Sequence, residues 1–358
     1  MDLPSTTYDT ATVLNPSSAL TDFTLMVDLS RMSSAWWSAA ENTNARRGRA
    51  AKDDGTELAC DWIDYTHGSP VGSGWLRVKW SGTLATTGTQ ILRVYPPNTA
   101  NSVQLSNAAF GSNNAYKSTT EGYWPMMLNA DDRTVNGRDF TLTAGVVPGG
   151  GSTVNGAPST SFDGVGYGQN NDNPLVGAAA RTLMIWGKPV TGYLSGDGLF
   201  NIGTPSGANG ERWTFTTLGA GSPTTIRIEI GGGGFTSAKT LPLDEWNFFG
   251  ATLTDGGDLS DHKIYKNDEA PETATGANTI NTLGTNNLYI GLGFQTVKGW
   301  VGDLQHAMLY SEELPEAWID HEYAQTDSQA AFFGTWTNTP APTTSTYRPR
   351  SRTRDRSR

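Results

Sequence analysis

Carboxylates that cleave a glycosidic bond work in pairs, and this sequence is short of pairs. A retaining glycosidase sets a nucleophile and an acid/base about 5 Å apart on one strand face, which reads in sequence as Glu-x-Asp-x-x-Glu or a near variant. Glu229 stands alone in its run, Thr225-Ile-Arg-Ile-Glu-Ile230. Glu312, Glu313 and Glu316 collect at a helix start, where acids favour the positive end of the dipole. The histidines His67, His262, His306 and His321 form no His-Glu-x-x-His and have no cysteine partner, so no zinc motif is present. Cys60 lies in an alternating run and reads as a small packed residue rather than a nucleophile. The run Gly231-Gly-Gly-Gly234 leads into Phe-Thr-Ser and not into Lys-Ser or Lys-Thr, which fits a hairpin turn and not a phosphate loop. The chain therefore reads as a non-enzyme.

What remains is the chemistry of binding. Sugar rings stack on aromatic side chains because one face of the ring is apolar while its hydroxyls seek polar neighbours. Tyr167, Tyr193, Trp213, Phe235 and Trp300 lie near turns and are the candidate carbohydrate contacts, with core packing as the competing reading for each. At the far end, Arg348, Arg350, Arg352, Arg354, Arg356 and Arg358 occupy every second position, so an extended chain sets all six on one side. Such a strip suits an acidic groove on a partner protein or phosphate, against the plain reading of a solvated terminus. Offset only by Asp355, these arginines give the end of the chain +5, so the formal −10 leaves −15 elsewhere. An acidic body argues against general nucleic-acid binding, except through the tail.

These residues need a scaffold, and the scaffold reads as all-β. With 36% hydrophobic residues and 12 each of Trp, Tyr and Phe, the chain can bury a core. No apolar run is long enough to span a membrane. Met1 is followed by Asp2, Leu3, Pro4 and Ser5, without the basic start and apolar stretch of a secretion signal. Phe23–Leu29, Glu57–Tyr65, Gly74–Trp80 and Thr89–Tyr95 alternate apolar and polar positions as half-buried antiparallel strands do, which predicts a β-sandwich over residues 1–112. Gly122–Leu128 predicts a strand of a second domain over 113–334. There, short strands separated by Gly, Asn and Asp turns predict a large antiparallel sandwich or jelly roll. Leu314–Tyr323, opened by Pro315, is the one convincing helix. Residues 335–358, rich in Pro, Thr, Ser and Arg, read as a disordered tail.

Two resemblances follow from these segments. Leu20-Thr-Asp-Phe23, Asp53-Asp-Gly-Thr-Glu-Leu58, Gly74-Trp-Leu-Arg-Val78 and Arg93-Val-Tyr95 resemble, in order, a bacterial and phage domain of unknown function that commonly precedes laminin-G-like modules. Tyr123-Trp-Pro-Met126, Ser161-Phe-Asp-Gly164, Leu183-Met-Ile-Trp186, Asp244-Glu-Trp-Asn-Phe248, Leu288-Tyr-Ile-Gly291 and Trp300-Val-Gly-Asp-Leu304 resemble the laminin-G-like, concanavalin A-like jelly roll. The second resemblance implies a calcium option, since such jelly rolls sometimes hold Ca²⁺ between loops through oxygen ligands. The candidates are Asp163 with Asn170, Asn171 and Asp172, and separately Asp255, Asp258 and Asp261, whose Asp-Gly-Gly-Asp spacing also fits a plain β-turn. Together the resemblances imply a non-enzymatic virion-surface protein, a capsid decoration, head fibre or tail-associated adhesin, that meets other virion proteins and cell-surface glycans. The alternatives are a polysaccharide hydrolase or lyase on the same fold and a secreted adhesin whose signal peptide has been removed, which would place it outside the cell. Exposed sandwich edges also predict a homo-oligomer.

Overall fold

A computed structural model describes residues 7–340, apart from 41–43, 69–70, 154–155, 193–194, 206, 209, 219–223, 286 and 296–297. Antiparallel strands dominate it, as the alternating runs require. In the first sandwich, a five-stranded sheet runs in the order Thr337–Thr339, Tyr8–Thr12, Ile91–Tyr95, Arg49–Lys52, Glu57–Leu58. Its apolar residues Ala11, Leu92 and Val94 share one buried cluster with Leu25, Leu76 and Val78 of a three-stranded sheet made of Thr24–Asp28, Ser73–Lys79 and Cys60–Thr66. The short helix α1 (Ser34–Ala39) plugs this cluster with Trp36 and Trp37. Ser33 Oγ accepts the Trp36 backbone N–H to start it, and the Trp36 indole N–H donates to the Val94 carbonyl.

The second sandwich stacks an eight-stranded sheet on a seven-stranded one. The long strands Val301–Tyr310, Arg181–Pro189 and Asn247–Leu253 lie at the heart of the larger sheet. Thr120–Trp124 pairs with Val301–Tyr310, as the Gly122–Leu128 reading predicts. Leu183, Ile185, Phe249 and Leu309 point into the space between the sheets, where they meet Phe200, Trp213, Phe215 and Ile228. The alternate residues Met184, Trp186, Phe248 and Met308 point the other way and join the core of the first sandwich. Both faces of these central strands are therefore buried.

Helices α2 (Glu316–Asp327) and α3 (Gln329–Phe333) fill the junction. Gly250 admits α2 closely, because a Cβ there would lie 3.3 Å from Ile319 Cγ2. The strand Thr24–Asp28 ends its sheet, and its open edge is satisfied by two side chains one helical turn apart. Gln325 accepts the Met26 N–H at 2.7 Å and donates to the Thr24 carbonyl; Gln329 accepts the Asp28 N–H at 2.9 Å and donates to the Met26 carbonyl. This cover explains why the strand is buried on both faces, where its sequence predicts a half-buried one. The tail expectation is corrected at its start: Thr337–Thr339 pairs with Tyr8–Thr10, and Asn338 donates to Asp9. Arg348, Arg350, Arg352, Arg354, Arg356 and Arg358 lie outside the described residues.

At the centre of the junction, Arg77 Nη1 stands 2.9 Å from Glu322 Oε1, with both side chains 1% exposed. The other Glu322 oxygen accepts from Gln325 Nε2, and the Arg77 guanidinium lies 4.5 Å from the Tyr123 ring centroid. Burial pushes the Glu322 carboxyl above the usual range against the opposing pull of Arg77 and Gln325. Replacing Glu322 by Gln strands a buried guanidinium and should lower unfolding free energy by about 3–5 kcal/mol, while the pair Arg77→Met with Glu322→Leu should recover most of that in urea titrations.

His321, one residue earlier, packs between Phe23 and Phe332 with its Nε2 buried and unbonded among the described residues. Burial pulls its pKa down from the usual 6.5 to about 4. The unfolded chain thus binds this proton first, so the contribution of neutral His321 is intact above pH 6.5 and is lost as pH falls towards 4. Replacing His321 by Phe should remove about 2 kcal/mol of the stability lost between pH 7 and pH 5, measured as the difference in urea midpoints and slopes.

Candidate glycan-binding face

One straight row of residues crosses the seven-stranded sheet. Thr141, Gln169, Tyr289, Asn201, Thr214, Glu229 and Gly234 are successive cross-strand partners. Their strand neighbours Leu288, Ile290, Trp213, Phe215 and Ile228 fill the sandwich core, so the row faces outward by strand alternation. The outward face is polar along its length, with Arg212, Thr216, Arg227 and Thr236 beside the row.

Residues 291–295 and 298–299 divide this face. A bridge between Leu292 and Gly299 closes the loop, the Gly293 carbonyl accepts from Asn201 Nδ2, and Asn201 and Thr214 beneath are fully buried. On one side of it, Tyr289 meets Tyr167 edge to face with ring centroids 5.8 Å apart, and Asn287 Nδ2 donates to the Tyr289 hydroxyl at 3.0 Å. A cavity of about 240 Å³ lined by Thr141, Thr143, Gln169 and Asn171 adjoins this pair. Aromatic edges beside amides and hydroxyls are the chemistry that holds a sugar ring. On the other side, Glu229 is held by Arg212 at 3.1 Å and Arg227 at 2.6 Å. Its cross-strand neighbours are Thr214 and Gly234, so neither supplies the second carboxylate that glycoside cleavage needs.

Residues 162–320 match the family model described as the concanavalin A-like lectin/glucanases superfamily, of laminin-G type. Residues 162–320 of the second sandwich thus have a concanavalin A-like fold. No curated protein matches the chain in sequence. Domain 4 of AbnA, a GH43 extracellular arabinanase from Geobacillus stearothermophilus solved with arabinotriose, is 14% identical with a TM-score of 0.45, over 57% of this chain and 98% of that one. The binding domain of Paraclostridial Mosquitocidal Protein 1 is 13% identical, with a TM-score of 0.38, over 54% and 48% of the two chains. A structure of botulinum neurotoxin type C, whose cell entry depends on two ganglioside molecules, is 11% identical, with a TM-score of 0.39, over 59% and 52%. The chain thus spans about half the length of these two toxin chains.

The concanavalin A-like domain sorts the aromatic candidates by strand phase. Tyr167 is on the outer face and half-buried, and Phe235 is half-buried against the core. Tyr193 lies outside the described residues. Trp213 and Trp300 are corrected: both are 0% exposed and belong to the sandwich core, out of reach of any glycan. The Trp213 indole N–H donates to His262 Nε2 at 2.7 Å, which leaves Nδ1 to carry the imidazole proton, 3.1 Å from the Leu259 carbonyl. Burial pulls His262 down to about 4, so the ring is neutral at pH 7. Gln169, Tyr289 and Asn287 were missed, although Leu288 and Ile290 fix the phase that turns Tyr289 outward.

The calcium candidates do not converge. Asp163 accepts the N–H groups of Val165 and Gly166, which hold its carboxyl below the usual range. Asn170 bonds the Asp139 carbonyl and the Asp172 N–H, Asn171 accepts from Gln169, and Asp172 pairs with Arg138 at 2.8 Å. Asp258 and Asp261 form a reciprocal capping box around Leu259–Asp261, and Asp255 is exposed. Among the described residues, no three of His, Cys, Asp and Glu are grouped for a metal ion. Replacing Trp213 by Phe should cost about 1–3 kcal/mol in urea unfolding by leaving His262 Nε2 without a donor, with glycan retention unchanged.

Proposed function

We propose that this chain is a non-enzymatic glycan-binding protein whose concanavalin A-like domain takes sugar on the Tyr167 side of its outer sheet face. The observation that carries the reading is the alignment of Thr141, Gln169 and Tyr289 across three strands beside an open cavity. The family holds both lectins and glucanases by its description, and fold alone does not choose between them. The pairing of Glu229 with two guanidinium groups favours binding over hydrolysis. We further propose a virion-surface setting, with other virion proteins as partners and the arginine strip as an anchor. The support for that part is the sequence resemblance of the first domain.

A glycan array with the full chain tests the reading. Bound polysaccharide should be recovered at its original length, and Tyr289→Ala and Gln169→Ala should each weaken retention about tenfold, equivalent to about 1.4 kcal/mol. New reducing ends or unsaturated sugars would establish the hydrolase or lyase instead. Mass spectrometry of purified particles checks the virion setting; absence of the chain from them refutes it.

A further inference from the structure

A cavity of about 160 Å³ lies beside the strand Cys60–Thr66. Its lining includes Cys60, Asp61 and Trp62 of that strand, Arg46 of the short helical turn Ala45–Arg47, and Ser112 and Arg133. The backbone that carries Arg46 is fully employed. Asn44 Oδ1 accepts the Arg46 N–H at 3.0 Å, and the Arg46 carbonyl accepts from Arg49 Nη1 and from the Gln104 N–H, both at 3.0 Å. The exposed Arg46 guanidinium, by contrast, has no partner among the described residues. Arg133 is anchored by its own N–H on the Tyr123 carbonyl at 2.9 Å. It spends Nε and Nη2 on Asp61 at 3.0 and 2.8 Å, which leaves Nη1 unbonded among the described residues.

Trp62 is the residue that points to a ligand. It is 9% exposed, and its buried indole N–H has no hydrogen-bond acceptor among the described residues. The edge of the ring that carries Nε1 lies over Gly48, where a Cβ would come 2.9 Å from Cε2, so glycine there leaves room for the indole in the cavity wall. The neighbouring Cys60 sulfur is a weak acceptor. Burial pushes that thiol up to about 12, so it is uncharged at pH 7. The unused groups are therefore donors: the Arg46 fork, Arg133 Nη1 and the Trp62 N–H. Asp61 is spent, because its oxygens already accept from Arg133 and from the Tyr116 hydroxyl at 2.7 Å. Asp64 also acts on Arg133, but it is exposed and outside the lining, where water and salt screen it. Arg46 and Arg133 against Asp61 give the lining a net charge of +1.

We propose that this cavity binds a small monocarboxylate, with its oxygens on the Arg46 and Arg133 guanidinium groups and on the Trp62 N–H. Guanidinium groups present paired N–H donors at the spacing of carboxylate oxygens. A lining of +1 matches a single negative charge better than a phosphate dianion. The volume falls below the ~300 Å³ at which pockets for drug-sized ligands begin, which suits a short acid. The site is separate from the outer sheet face and does not depend on the glycan reading made there.

Calorimetric titration of the full chain with lactate, with lactamide as its uncharged counterpart and with inorganic phosphate, tests the proposal. Lactate should bind about tenfold more tightly than lactamide, and more tightly than phosphate. Arg46→Gln should remove the preference for lactate over lactamide, and Trp62→Phe, which keeps a ring but loses the N–H, should weaken lactate about threefold. The circular dichroism spectrum should be unchanged in both, and Tyr289→Ala should bind lactate as the parent does. Equal binding of lactate and lactamide, tighter binding of phosphate, an unchanged preference in Arg46→Gln, or no saturable binding of lactate up to roughly 10 mM would overturn the proposal. Loss of binding in Tyr289→Ala would assign the ligand to the sheet face and overturn it equally.

Discussion

A guanidinium and a carboxylate, both removed from water, set the terms for the rest of this molecule. Arg77 and Glu322 are 245 residues apart in sequence and touch at the point where sheet, helix and second sandwich converge. A buried pair of this kind contributes little net stability, since the cost of dehydrating both ions rivals their attraction. What it contributes is discrimination. An arrangement that failed to bring α2 against the strand Ser73–Lys79 would leave an unpaired charge in an apolar junction, so the pair penalises wrong docking more than it rewards the right one. Tyr123 stacks under the same guanidinium and bonds His306 at 2.8 Å, which extends the constraint into the second sandwich.

The junction consequently behaves as core and not as a surface between neighbours. One apolar cluster includes Leu25 and Val78 of the first sandwich, Met184 and Phe248 of the second, and Trp318 and Phe332 of the helices. Gln325 and Gln329 complete the picture by standing in for a missing strand. An edge that would invite pairing with another chain is closed by amide groups that reproduce the donors and acceptors of a backbone.

The fold class was legible because alternation survives wherever one side of a strand meets water. It failed where both sides are covered. The run Gly74–Trp80 places Arg77 on the apparently solvated side, and nothing local announces that a helix more than two hundred residues away will seal it. The outer sheet face shows the same division. Tyr167, chosen for its place near a turn, lies on the outer face, whereas Trp213 and Trp300, chosen by the same criterion, belong to the core, because nearness to a turn does not specify phase. Strand alternation does: Leu288 and Ile290 face inward, which turns Tyr289 outward. The calcium loops misled for a related reason. Asp and Asn are favoured in turns because they bond their own backbone, and that same chemistry resembles a ligand set when only spacing is visible.

The pairing of Thr337–Thr339 with Tyr8–Thr10 makes the concanavalin A-like domain an insertion within the first sandwich. A sheet whose neighbouring strands lie at opposite ends of the sequence is topologically expensive, because the closing contact must wait until the intervening chain has become compact. That closing contact joins Thr10 to Thr337, 327 residues apart in sequence. Pairing of this strand with Tyr8–Thr10 thus acts as a clasp: a pull on residue 340 would be borne first by that three-residue ladder on the first sandwich, leaving the seven-stranded sheet mechanically unloaded.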